Sequence, residues 1–318
     1  MASKSKAKSV LPVDVDKQKL ASALRDLSKR DSLDAARLIY GEFLGKAIAA
    51  FTSEPAILDV KSDSVVIVGD LHGDTSTFRK ITRVYSPRKY TYILMGDNVD
   101  RGENSTELLA MLLASKLING KNFIMLRGDH ESKEVNPQNF PYELKDKLNN
   151  REMVYKVYDE LFTKMPLAVV LNNRYFIVHG GIPISQNSIE ELRGLKKVDN
   201  PSDNESIKQM LWNDPAQGDF LLPSARGRGI YLFGNNITDA FLKNNGFELI
   251  IRGHEHGLGG CRLMGGTLTL LTTTAYPADR QFIAKLEKGK LNIYDVSDDR
   301  PVLLRMKKLV RKEVEETV

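Results

Sequence analysis

Residues 67–74 read IVGDLHGD, residues 93–102 read ILMGDNVDRG, and residues 124–131 read IMLRGDHE. The three share one grammar: a short apolar run, then Gly-Asp, then a polar cluster that holds His or Asp. An apolar run broken by glycine reads as a buried strand turning sharply at its carboxyl end, where α/β folds present functional side chains. Three such ends deliver Asp70, His72, Asp97, Asp100, Asp129 and His130. These are too many acids and imidazoles for an apolar core, and they sit too close to apolar runs for ordinary surface. Bound metal cations would neutralise that concentration of charge.

Between and around these stretches the periodicity alternates. Val65–Val68, Tyr92–Met95 and Phe123–Leu126 read as strands, and residues 76–85 and 105–118 read as helices. Strand, helix, strand, helix, strand is the pattern of a parallel βαβαβ unit. Upstream, residues 34–51 have helical spacing, with Pro55 just beyond. Downstream, residues 151–165 read as helix, and LAVVL and YFIVHGG as strands joined by an Asn172-Asn173 hairpin turn. Residues 185–228 read as loop-rich. Residues 237–246 predict a short helix with Thr238 as N-cap and Gly246 as its stop. The strand-like ELIIRGHEH and TLTLLTTTAY follow, then a hairpin over residues 282–296 turning at Lys288-Gly289-Lys290. The second half is therefore mostly β. The expectation is an α/β fold in which two β-sheets pack as a central sandwich flanked by helices, with a metal site at the strand carboxyl ends. Residues 13–300 are expected to form one catalytic domain, between a disordered basic tail (1–12) and a basic helical tail (301–318).

With 318 residues, 42% of them hydrophobic, the chain can bury a sizeable core. No apolar run is long enough to cross a bilayer, and no apolar signal segment follows the basic start. Cys261 is the single cysteine, which forbids an intrachain disulfide and suits a reducing, cytoplasmic setting. The net charge of +5 is concentrated in the ends, at Lys4, Lys6 and Lys8 and again at Arg305, Lys307, Lys308, Arg311 and Lys312. Basic residues interleaved with aromatics on one face would be needed for a nucleic-acid surface, and none is legible. Neither a nucleic-acid partner nor a membrane is expected.

All five histidines, His72, His130, His179, His254 and His256, fall at glycine-flanked strand ends. In order, GDLHG, GDNVDRG, RGDHE, HGG and RGHE resemble the phosphoprotein phosphatase family of metal-dependent serine/threonine phosphatases, within the calcineurin-like metallophosphoesterases. The likeness extends to LWNDP, ARGRGIYLFG and LLTTTAY, covering roughly Val65 to Tyr276. Any one motif is moderately specific; the ordered set is highly specific.

The resemblance implies a role for each residue. Asp70 and His72 would bind a first metal, Asp97 would bridge both, and Asp129, His179 and His254 would complete the second. Carboxylates and imidazoles suit Mn²⁺ above all, with Fe or Zn²⁺ as alternatives, and a bridging carboxylate holds two ions about 3.5 to 4 Å apart. Hydroxide held between the ions would attack phosphorus in line, with no covalent enzyme intermediate. Cys261 lacks the Cys-x5-Arg loop of a cysteine phosphatase. Arg101 and Arg226 would clamp the phosphate, His130 oriented by Asp100 would be the general acid, and Tyr276 would border the substrate. Phosphorylated proteins or peptides are the implied partners, with Lys133 to Glu143 contributing to their selection. Regulatory partners are not legible.

Two departures stand out. The family carries Asn-His-Glu where this chain has Asp129-His130-Glu131. Aspartate keeps an oxygen ligand but adds a charge and loses an amide donor, so metal binding should survive while phosphate binding weakens. His256, in GHEHG, offers either a further metal ligand or a peripheral role. Other readings on the same fold are a dinucleotide polyphosphatase or small-molecule phosphoesterase, and a phosphoprotein-binding variant whose turnover Asp129 depresses.

Overall fold

A computed structural model describes residues 15–135 and 139–304. Both expected basic tails therefore lie wholly or mostly outside the described residues. Two six-stranded sheets dominate. The first runs in the order β1 (Ile57–Val60), β5 (Ala168–Leu171), β6 (Tyr175–Val178), β10 (Leu249–Arg252), β12 (Thr267–Leu270) and β11 (Cys261–Met264). The second runs β15 (Val302–Leu304), β14 (Lys290–Asp295), β13 (Phe282–Glu287), β2 (Ser64–Val68), β3 (Thr91–Leu94) and β4 (Phe123–Met125). Three short strands, β7 (Asp214–Pro215), β9 (Tyr231–Phe233) and β8 (Leu221–Pro223), form a third sheet.

The period of two along each strand builds the sandwich. Val65 and Ile67 of β2 and Ile93 of β3 face Val169, Ile177, Ile251 and Leu268 of the opposite sheet. Val66, Val68, Tyr92 and Leu94 face the other way, onto the helix Ser105–Asn119 and its neighbours. Val170, Phe176 and Ile250 of the first sheet likewise pack outward, against Met210, Leu211 and Phe241. Strands covered on both faces read as continuous apolar runs, which is why they were conspicuous in the sequence. A one-residue slip of β2 would swap its two buried faces.

The pairs β2–β3 and β3–β4 are parallel, as the βαβαβ reading requires. Asn172 and Asn173 both have φ of 56° and close the antiparallel β5–β6 hairpin. Lys288 and Gly289 close β13–β14, one residue tighter than expected.

Several expectations are corrected. Thr238 is not an N-cap; the helix Asn235–Asn245 starts after Gly234, and Thr238 donates its hydroxyl back to the Gly234 carbonyl. Gly246 does end that helix, with φ of 67°. The loop-rich span contains a helix, Glu205–Trp212, capped by Asn204, whose side chain accepts from Ile207 N. Residues 302–304 are not helical, because β15 pairs with β14. Residues 39–43 and 156–161 widen into π turns inside their helical stretches. No helix among the described residues is long and apolar enough to cross a membrane.

Candidate active site

The site forms where the carboxyl ends of five strands meet across the two sheets. β2 leads into Asp70 and His72, β3 into Asp97, β4 into Asp129, β6 into His179 and β10 into His254. All six side chains are buried. Donor atoms of Asp97, Asp129, His179 and His254 lie within 4.8 Å of one another, as do those of His72, Asp97 and His130. Asp97 belongs to both groups. Asp70 joins from the side, its Oδ2 4.0 Å from His72 Nε2. Both Asp70 oxygens accept the His254 N–H at 3.0 Å. Gly253 permits this approach, since a β-carbon there would meet the Asp70 carboxylate.

The backbone is strained here. His72, Asp97, Asp100, Arg101 and His254 all have φ between 43° and 69°. Left-handed non-glycine residues cost free energy and persist where the surroundings over-determine them. Glu131 is one such determinant. Fully buried, it accepts from Asp97 N, Asn98 N and Gly128 N, each at 2.8 Å, and from Asn98 Nδ2 at 3.2 Å.

The imidazoles are oriented as metal ligands usually are. His72 Nδ1 lies 2.8 Å from the Val99 carbonyl, and His179 Nδ1 lies 2.9 Å from the Met95 carbonyl. A carbonyl can only accept, so each Nδ1 carries the proton and each Nε2 turns a lone pair into the site. His179 Nε2 then faces Asp129 Oδ1 at 2.8 Å, lone pair to lone pair. Such a contact repels unless a cation or an extra proton lies between the two atoms. His254 Nδ1 sits 2.9 Å from the same oxygen, and its Nε2 is buried without a hydrogen-bond partner, 3.9 Å from Asp214 Oδ1.

Electrostatics point the same way. Burial, then Asp129 and Asp70, pushes the Asp97 carboxyl well above the usual range. Burial holds the His72 imidazole well below its ordinary value, with His130 adding to the effect, and it pulls His254 down to about 4. Three buried carboxylates beside neutral imidazoles make a donor set suited to a divalent metal ion.

The remaining expected residues ring this cluster. His130 Nδ1 lies 2.8 Å from Asp100 Oδ2; burial alone would lower its basicity, but that hydrogen bond together with the negative charges of Asp129 and Asp100 outweighs burial and raises the imidazole above its ordinary value. Arg101 is exposed beside the cluster. Arg226 donates from Nε to Asp214 Oδ2 at 2.5 Å. The Tyr276 hydroxyl is 3.4 Å from His72 Nε2. His256 is exposed and stacks on the Tyr276 ring, with centroids 4.2 Å apart, outside both donor groups. Around Lys133 to Glu143, residues 136–138 lie outside the described residues. Lys133 pairs there with Asp159 at 2.6 Å.

Two further buried groups went unassigned in the sequence. Arg252 is fully buried and donates to Asp214 Oδ1 at 2.7 Å and to the Gly180 carbonyl at 2.5 Å. Asp214 thus holds Arg226 with one oxygen and Arg252 with the other. The signals were present in LWNDP and RGHE, but neither motif says that its charged residues pair with each other.

A two-sheet sandwich with acids and imidazoles converging at its strand ends defines a metallophosphoesterase. The chain belongs to that family: residues 64–258 match the calcineurin-like phosphoesterase pattern. Serine/threonine-protein phosphatase T of Saccharomyces cerevisiae is 32% identical over 246 residues, covering 73% of this chain and 47% of that protein. The phosphatase T of Aspergillus oryzae is 33% identical over 235 residues, covering 70% and 48%. The chain thus spans about half the length of these two relatives. A solved protein serine/threonine phosphatase from Saccharomyces cerevisiae superposes with a TM-score of 0.71 at 25% identity, over 91% of this chain and 89% of that one. A cold-active protein-tyrosine phosphatase of Shewanella reaches 0.58 at 14% identity, over 81% and 84%, a likeness of fold alone.

Proposed function

We propose that this chain is a metal-dependent serine/threonine protein phosphatase, with residues 13–300 as its catalytic unit. The observation that carries the reading is Asp97, common to two donor groups, with the His130–Asp100 pair beside it. Asp70, His72 and Asp97 would hold one divalent ion, and Asp97, Asp129, His179 and His254 a second, with Mn²⁺ the favoured metal. Bound there, the two ions would supply Lewis acidity to the phosphoryl oxygens and make water acidic enough to attack phosphorus near neutral pH.

The protein's own groups do the rest. His130 holds a proton at Nε2 for the departing serine or threonine oxygen, while Asp100 fixes the ring through Nδ1. Arg101 and Arg226 present guanidinium forks to the phosphoryl oxygens, and Asp214 holds Arg226 in place. Tyr276, propped on His256, borders the pocket. Asp129 contributes an oxygen but no amide donor, so phosphate capture is weaker than asparagine would give. A single cysteine agrees with a reducing, cytoplasmic setting.

The test compares phosphate release from a phosphothreonine peptide and from diadenosine tetraphosphate by the Mn²⁺-loaded chain. Preference for the peptide supports the reading. Preference for the dinucleotide would move the chain to the polyphosphatases. Tight phosphopeptide binding without release would make it a binding module.

A further inference from the structure

We propose that Asn139 is a positioning residue, which sets the aim of Arg101 and of the Asp100–His130 pair by locking the strained backbone that joins them. The inference rests on the phosphatase reading. Asp100 and Arg101 are consecutive non-glycine residues at φ of 64° and 67°. Two left-handed residues in a row are costly and need outside support. One support is the opposite loop: Gly102 N donates to the His72 carbonyl at 3.1 Å, an approach so close that a β-carbon at Gly102 would strike that oxygen. The other is Asn139. Its Oδ1 accepts from Arg101 N at 2.7 Å, its Nδ2 donates to the Gly102 carbonyl at 3.3 Å, and its own N–H donates to Asp100 Oδ1 at 2.8 Å.

One residue therefore touches all three members of the Asp100-Arg101-Gly102 turn. The consequences diverge along the two side chains the turn carries. Asp100 turns its other oxygen to His130 Nδ1, so its rotation sets where the His130 proton points. Arg101 leaves the same turn close enough to His72, His130 and Tyr276 for its charge to act on all three. Asn139 is itself exposed, whereas its neighbour Phe140 is fully buried and anchors the helix Phe140–Leu148. Removing the Asn139 amide thus frees the Arg101 N–H and the Gly102 carbonyl, while the backbone N–H groups of Asn139 and Phe140 still hold Asp100 Oδ1 and the core stays intact.

The experiment uses the Mn²⁺-loaded full chain and its Asn139→Ala, Asn139→Asp and Arg101→Ala variants. Four readouts apply: phosphate release from a phosphothreonine peptide, the inhibition constant of inorganic phosphate, bound metal and Tm. Asn139→Ala should lose roughly ten- to a hundredfold in kcat/KM, because a misplacement near 1 Å has that scale of effect. Its phosphate inhibition constant should rise several-fold, with metal content and Tm kept. Asn139→Asp, which retains an acceptor for Arg101 N–H, should lie between wild type and Asn139→Ala. In an Arg101→Ala background, Asn139→Ala should no longer change the phosphate inhibition constant. Equal kinetics for wild type and Asn139→Ala would overturn the proposal. So would a rise in the inhibition constant of the same size with Arg101 absent, or a loss of metal as the cause of the defect. If wild type itself releases no phosphate, the phosphatase reading fails first. Unaltered phosphate binding by Asn139→Ala would then overturn the positioning role separately.

Discussion

Asp100 divides its carboxylate between the reacting side of the site and the scaffold. Oδ2 lies 2.8 Å from His130 Nδ1, while Oδ1 accepts from the N–H groups of Asn139 and Phe140 at 2.8 and 2.7 Å. The imidazole is thereby tied to the start of a helix that is itself packed into the core. Asp100→Asn should keep the shape but weaken the hold on the His130 proton. We expect kcat to fall by about 10² or more, the scale of general acid catalysis, with bound metal unchanged. Steady-state kinetics with metal analysis on the same preparations checks this. Full activity in the variant would remove His130 as the proton donor.

Metal removal should destabilise as well as inactivate. Asp70, Asp97 and Asp129 crowd into one buried space, and only cations or added protons relieve their repulsion. Thermal unfolding of stripped protein titrated with Mn²⁺ should show a rising Tm, equivalent to about 2.7 kcal/mol per site at a hundredfold excess over Kd. A Tm indifferent to Mn²⁺, Fe²⁺ and Zn²⁺ would contradict the metal site.

Glu131 tests how the ligands are held. It gathers N–H donors from both loops that carry Asp97 and Asp129. Glu131→Gln would turn an amide donor toward those donors, costing roughly 2 to 3 kcal/mol for the buried groups left unpaired. Metal affinity should fall with it, although Glu131 belongs to neither donor group. Denaturant unfolding and a metal titration together decide the point; unchanged affinity would confine Glu131 to the fold.

Asp214 gives a pH signature beside the ligands, its Oδ1 3.9 Å from His254 Nε2. Burial pushes its carboxyl up, but Arg252, His254 and Arg226 outweigh that and hold it below the usual aspartate value. A lowered folded pKa means a contribution to stability that is present above the unfolded value, about 3.9, and lost as pH falls through the folded one. Asp214→Asn should therefore cost about 2 kcal/mol near pH 7, by removing a charged partner of the buried Arg252, which keeps Glu255 at 3.3 Å, and less near pH 3, below the unfolded value. Urea unfolding of both proteins at the two pH values checks it. A difference that does not shrink on acidification would contradict the pairing.

The strand-end motifs were legible because each combines two independent signals, an apolar run buried on both faces and a glycine followed by hard ligands. Asp70, His72, Asp97, Asp129, His179 and His254 converge as that grammar requires. What escaped has physical causes. The helix Glu205–Trp212 is only eight residues long, and its Asn204 cap and the spacing of Ile207, Met210 and Leu211 were hidden among polar residues. Thr238 resembles a cap because threonine often is one, but the helix begins at Asn235, after Gly234, which has no side chain to cap it. The Arg252–Asp214 pair joins residues 38 apart, and no local pattern announces a contact across that distance. His256 shares a motif with His254, yet its side chain leaves the cluster to lie on Tyr276.

The most direct measurement is phosphate release from a phosphothreonine peptide by metal-stripped protein titrated with Mn²⁺, with Asp129→Asn alongside. Asp129 Oδ1 meets both His179 and His254, so the substitution changes charge and donor at the centre of the site while keeping an oxygen there. We expect Mn²⁺-dependent release by the wild-type chain and faster release by Asp129→Asn, as the amide donor returns and a like charge leaves the phosphate. Equal or slower release by Asp129→Asn would contradict the role given to Asp129, and silence from both proteins would contradict the phosphatase.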